Sequence, residues 1–134
     1  MNHYALFNKL MDRQVPRVVV TTLMTWYSLN AAVVKWDNIL SDMITLNCGV
    51  RQGGVLSPVL FVVYVNELIE KLRKSKYGCR IGDMFLECIM YADDLILISA
   101  SVCYLQAMID ICSDELISID MKLNIAKSQI LRIG

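Results

Sequence analysis

The stretch Phe85 to Ala100, FLECIMYADDLILISA, constrains this chain more than any other. Two short apolar runs rich in Ile, Leu and Met flank a pair of adjacent aspartates, Asp93 and Asp94. Runs of that length, closed by turn residues, read as buried strands. Together they predict a β-hairpin with Ala92, Asp93 and Asp94 at its tip, since Asp tolerates left-handed backbone and hydrogen-bonds to its own chain. Two neighbouring carboxylates repel each other. A divalent cation relieves that repulsion, and Mg²⁺ is commonly held by one or two carboxylates plus substrate phosphates. The plain alternative is a surface turn with no ligand.

The remaining elements follow from periodicity and caps. Asn2 predicts a helix cap, with Leu6, Phe7, Leu10 and Met11 on one face of a helix ending near Gln14. Pro16 suits the first turn of a second helix, whose apolar face is Val19, Val20, Leu23 and Tyr27 and whose stop is Asn30. Ala31 to Trp36 and Met43 to Cys48 read as strands, with Asp37-Asn38 supplying turn residues. A glycine-rich loop, Gly49 to Gly54, then allows the backbone close to a ligand.

Ser57-Pro58 predicts a capped helix running to about Arg73. Its first half, Val59 to Val65, is apolar all round, which implies burial on most sides. Val102 to Ile119 forms another amphipathic helix on Leu105, Ile109, Cys112 and Leu116, with Asp110, Asp114 and Glu115 facing water. Gln129 to Ile133 reads as a last strand. Helix, helix, strand, strand, helix, hairpin, helix, strand is an α+β order, met by an antiparallel sheet with helices packed on one face.

Bulk properties narrow the function. A chain of 134 residues is one domain or part of one. It is 56% hydrophobic, with a mean hydropathy of +0.48, so it needs either strands covered on both faces or a partner. The formal net charge is zero, which argues against a free-standing basic nucleic-acid binder. Lys71, Arg73, Lys74, Lys76 and Arg80 still cluster, either as a solvated helix end or as a phosphate contact. The five cysteines include no CxxC pair, and the single histidine, His3, lies far from them, which speaks against zinc. The odd count points to reduced thiols, mostly small core residues, in an intracellular compartment. The uncharged stretch Val18 to Val34 is polar enough to read as helix and strand, not a membrane span.

Three motifs stand in order along the chain. Tyr91-Ala92-Asp93-Asp94 resembles motif C of reverse transcriptases, the YADD box of non-LTR retrotransposons and group II introns. Gly49-Val50-Arg51-Gln52-Gly53-Gly54-Val55-Leu56-Ser57-Pro58 resembles motif B, and Leu123 to Ser128 resembles the weaker motif D. The resemblance covers about Asn2 to Gly134 and implies an incomplete polymerase palm, a fragment of an RNA-directed DNA polymerase domain spanning 1–134.

It further implies a catalytic set and its partners. Asp93 and Asp94 hold Mg²⁺ or Mn²⁺, two ions serving the complete enzyme, with Asp94 in a lesser role. Lys127 matches the lysine that protonates pyrophosphate. Gln52 and Gly53 contact nucleotide and template, Tyr91 lies near the primer terminus, and Arg51 is a candidate phosphate contact, standing where many relatives have proline or lysine. The implied partners are an RNA template, a DNA primer, a deoxynucleoside triphosphate, and the fingers and thumb segments of a longer polyprotein, with no membrane. The implied compartment is the nucleus.

The chain departs from the family at motif A. Met1-Asn2-His3-Tyr4 resembles the stretch just after that motif, and Asp12 lies on a helix, not at a strand end. The expectation is therefore a fragment inactive by itself, or else a non-catalytic remnant that binds nucleic acid or protein.

Overall fold

A computed structural model describes residues 1–51 and 53–133. Its elements alternate helices with short antiparallel ribbons, so the α+β class holds. The chain divides into two units, Met1–Tyr64 and Val65 onward, and each is described by itself.

In the first unit, α1 (His3–Asp12) begins as the sequence predicts. Asn2 Oδ1 accepts from the backbone N–H of Tyr4 at 2.9 Å and of Ala5 at 3.3 Å, satisfying donors the first turn leaves free. Pro16 caps α2 (Arg17–Ser28) from one residue outside it. The buried face is Leu6, Phe7 and Leu10 of α1 with Val20, Leu23 and Tyr27 of α2. Met11 and Val19, expected on it, are exposed.

The two predicted strands after α2 resolve into four short ones: β1 (Ala31–Ala32), β2 (Lys35–Trp36), β3 (Ile39–Leu40) and β4 (Ile44–Thr45). β2 turns back on β3 through Asp37-Asn38, and β1 pairs with β4, so the segment is one long interrupted hairpin. An isolated bridge joins Asn2 to Cys48.

Helix α3 (Ser57–Ser75) crosses from the first unit into the second. In the first unit it buries Leu60 and Tyr64, and the Tyr64 hydroxyl accepts from Asn2 N–H at 3.1 Å. Val59 and Val62 are exposed, so the all-round apolar half is not buried on most sides.

The second unit packs Val65, Leu68 and Leu72 of α3 with Met108, Cys112 and Leu116 of α4 (Val102–Ser118) as its core. Between these helices lie two ribbons. β5 (Arg80–Ile81) pairs with β6 (Met84–Phe85), and β7 (Cys88–Tyr91) pairs with β8 (Asp94–Leu97). The Cys79 N–H donates to the Ile98 carbonyl at 3.0 Å and the Cys79 carbonyl accepts from Leu86 N–H at 3.3 Å, so one residue links the ends of both ribbons.

Several expectations change here. The β7–β8 strands alternate between half-buried and exposed residues, leaving Ile89 and Ile96 open, so they are not buried strands. Glu115 does not face water: it is buried and ion-paired with Lys71. Only Cys112 of the five free cysteines is buried. Residues 129–133 form no strand. Among the described residues, no helix is long and apolar enough to cross a membrane.

Candidate active site

The hairpin β7–β8 carries the two aspartates. Tyr91 pairs with Asp94 across the turn, so the loop proper is Ala92-Asp93 and Asp94 opens the return strand. Three two-residue hairpin loops occur in the described chain, and each starts with a left-handed residue. These are Asp37 at φ +52°, Gly82 at φ +57° and Ala92 at φ +51°. Asp and Gly tolerate that region, whereas alanine pays a steric cost of about 1–2 kcal/mol there. The strained member of the set therefore sits at the aspartate turn, and strain of this kind concentrates at functional sites.

Both carboxylates are exposed, and neither forms a hydrogen bond or ion pair with the described residues. The donor chemistry suits a hard cation: two adjacent oxygen-donor side chains, with room for waters and phosphates to complete the shell. No third acidic, His or Cys side chain joins them in a metal-binding group among the described residues. Tyr91, next to them, is 82% exposed and presents an open ring.

The motif B loop lies in the first unit. Gly53 adopts φ +76°, which favours glycine. At Gly54 a Cβ would fall 2.7 Å from Ser57 Oγ and 3.1 Å from the Arg51 carbonyl, so this loop closes too tightly for a side chain. The Ser57 hydroxyl was expected to cap α3. It donates instead to the Arg51 carbonyl at 2.6 Å and braces the loop. The Arg51 guanidinium lies 5.6 Å from the Trp26 ring centroid. Gln52 is outside the described residues.

Lys127 is exposed in a short turn after α4, where its N–H donates to the Asn124 carbonyl at 3.1 Å. Of the basic cluster, three members are engaged within the unit. Lys71 pairs with Glu115, Arg73 with Glu70 at 3.3 Å, and Arg80 with Glu87 at 2.6 Å. Their reading as phosphate contacts is correspondingly weakened. The structure thus groups Tyr91, Asp93 and Asp94 on one turn, sets Lys127 on another in the same unit, and keeps Arg51 and Gly53 in the first unit.

Residues 1–132 match the reverse transcriptase (RNA-dependent DNA polymerase) family. The chain belongs to the reverse transcriptase family. It is also similar to the retrovirus-related Pol polyprotein from type-2 retrotransposable element R2DM of Drosophila melanogaster, 28% identical over 127 residues. That alignment covers 95% of this chain and 12% of the relative, so the chain spans about an eighth of that polyprotein's length.

Sequence reasoning overlooked two features of this reverse transcriptase segment. The Gly82-Asp83 turn between β5 and β6 was signalled by a Gly-Asp pair between apolar runs. The burial of Glu87 had no local signal, because a charged residue at the edge of an apolar run reads as solvated.

Proposed function

We propose that this chain is the motif B to motif D part of an RNA-directed DNA polymerase palm, and that Asp93 is its metal-holding carboxylate. The reading is carried by the turn geometry: two unpartnered carboxylates sit beside an exposed tyrosine on a strained two-residue hairpin. Asp94, on the first position of β8, supports the same site. Asp93 and Asp94 would hold divalent cations there, and cations so held would supply activation of the primer 3′-hydroxyl and charge stabilisation for the leaving pyrophosphate.

The chain's own residues supply position. The two-residue turn between paired Tyr91 and Asp94 fixes the backbone position of Asp93 at the hairpin tip. Tyr91 offers its ring to the primer terminus or the incoming nucleotide. Gly53 and the tight turn at Gly54 bring bare backbone to nucleotide and template, together with Gln52. The Lys127 ammonium is the proton source for pyrophosphate, and Arg51 contacts phosphate. The metal set of the family requires a further aspartate, the motif A residue, which motifs B to D do not supply. The substrates are an RNA template, a DNA primer and a deoxynucleoside triphosphate, and the site of action is the nucleus.

Primer extension on an RNA template with Mg²⁺ or Mn²⁺ tests this. It is run with the chain alone and with a version extended by a motif A strand, each beside its Asp93→Asn control. Extension only by the longer, unsubstituted protein is the expected result. Extension by the short chain would overturn the need for a further aspartate. Silence in both folded proteins would favour a non-catalytic remnant that binds nucleic acid or protein.

A further inference from the structure

A cavity of about 350 Å³ lies wholly within the first unit, away from the aspartate hairpin in sequence. Its lining includes His3, Trp26, Tyr27, Asn30, Gly49 and Arg51. Trp26 and His3 belong to no motif that identified the family. The volume is at the lower end of small-ligand sites, which run roughly 300–1,000 Å³. It suits one planar group with a short polar extension, not a folded partner.

The walls are chemically specific. Trp26 offers an indole face with the Arg51 guanidinium over it at 5.6 Å. Tyr27 is held edge-on by His3, with ring centroids 4.5 Å apart, and His3 Nε2 in turn donates to the Gly49 carbonyl at 3.1 Å. Tyr27 is only 3% exposed, yet its hydroxyl has no hydrogen-bond partner among the described residues. Burial pushes that phenol above its ordinary range, so it stays a donor at neutral pH. Asn30 adds an amide.

An aromatic face, an exposed cation, an unmet hydroxyl donor and an amide suit a flat, hydrogen-bonding group joined to a negative charge. An unpaired base of a nucleic-acid strand, together with the phosphate it is joined to, has all of these properties. Base–aromatic stacking is the main affinity source for single strands, with Arg adding cation–π and phosphate contacts. A duplex base is shielded by its neighbours and cannot enter. We propose that the Trp26–Arg51 cavity binds one flipped-out base of single-stranded RNA, with the base on the indole and its phosphate on Arg51. The inference rests on the nucleic-acid reading of the family but not on the metal site.

The test is binding of an eight-nucleotide uridylate strand, read by anisotropy of a dye on the RNA, in EDTA without divalent metal. Folding of each variant is checked by circular dichroism. Trp26→Ala should weaken binding by about fivefold to a hundredfold, the loss of one stacked base. Trp26→Phe should recover most of it, and Arg51→Gln, at an exposed position, should weaken binding and flatten its salt dependence. Trp36→Phe removes the other tryptophan, which is exposed on β2, and should bind as the unsubstituted chain does. In that variant Trp26 is the sole indole, and its fluorescence should be quenched saturably by the RNA. Equal affinity across Trp26→Ala, Arg51→Gln and the unsubstituted chain, or an unmoved Trp26 signal, would overturn the proposal. Equal quenching by inorganic phosphate would overturn it too, by reducing the site to an anion contact. Because no metal is present, failure of the polymerase assay leaves these outcomes unaffected.

Discussion

Arg80 Nε donates to Glu87 Oε1 at 2.6 Å, and Glu87 is completely buried. The pair ties β5 to the residue immediately before β7. Arg80 also donates from its guanidinium to the Arg73 carbonyl at 3.0 Å, so it joins the end of α3 to both ribbons. The second carboxylate oxygen of Glu87 is buried without a partner, which leaves the Arg80 contact as the side chain's compensation.

Removing Arg80 should therefore be costly. Arg80→Ala leaves a buried carboxylate unpaired, a loss of about 1–3 kcal/mol, moderated because the guanidinium is half exposed. Adding Glu87→Leu should restore much of it, since an apolar isostere needs no partner. Urea unfolding of the two variants checks this. An unchanged midpoint for Arg80→Ala would show that water replaces the guanidinium.

Gly78 packs against the same glutamate. A Cβ there would lie 2.1 Å from Glu87 Cβ and 2.7 Å from its Cα, too close for either backbone to remain in place. Gly78→Ala should destabilise by about 1–3 kcal/mol through overpacking, with the loss seen as a lower Tm. A neutral result would mean that the 77–79 segment can move away from β7.

The aspartate turn should gain stability from a smaller residue. Ala92→Gly removes the left-handed penalty and should raise stability by roughly 1 kcal/mol, after the entropy cost of glycine. Thermal unfolding measures it. A fall in Tm would show that the turn stores no strain.

Thiol chemistry should follow burial. Burial pushes the Cys112 thiol from about 9 up to about 12, with nearby Cys88 adding to the rise, and Cys88 is itself raised by burial and by Glu87. The thiolate is the nucleophile, so iodoacetamide at pH 8 should label exposed Cys48 and Cys103 first and Cys112 only after unfolding. The sign of the linkage is also set. The folded state holds the proton more tightly, so this contribution is fully present below about pH 9 and is lost as pH rises toward 12. Mass spectrometry showing early Cys112 labelling would contradict this packing of α4.

Local signals in the sequence were sufficient for much of this. The Asn2 cap, the Asp37-Asn38 turn, α4 and the aspartate hairpin each depend on residues close in sequence, and each stands. Glu115 and Lys71 meet across 44 positions, and periodicity names a helix face without naming what covers it. Val59 and Val62 look buried by composition, but burial needs a neighbour that the described residues do not provide. The apolar tail at 129–133 has strand composition but finds no pairing strand among the described residues. The candidate site was legible because a motif is a local pattern. The Trp26 cavity was not, because it joins residues from α1, α2 and the motif B loop.

Asp93 is proposed to hold a divalent ion. The most direct measurement is Mn²⁺ titration of the isotopically labelled chain, followed by paramagnetic broadening of its amide resonances. Broadening should begin at Tyr91 to Leu95 and be lost in Asp93→Asn. Broadening that starts elsewhere, as at exposed Asp110 and Asp114, or that persists in Asp93→Asn, would contradict it.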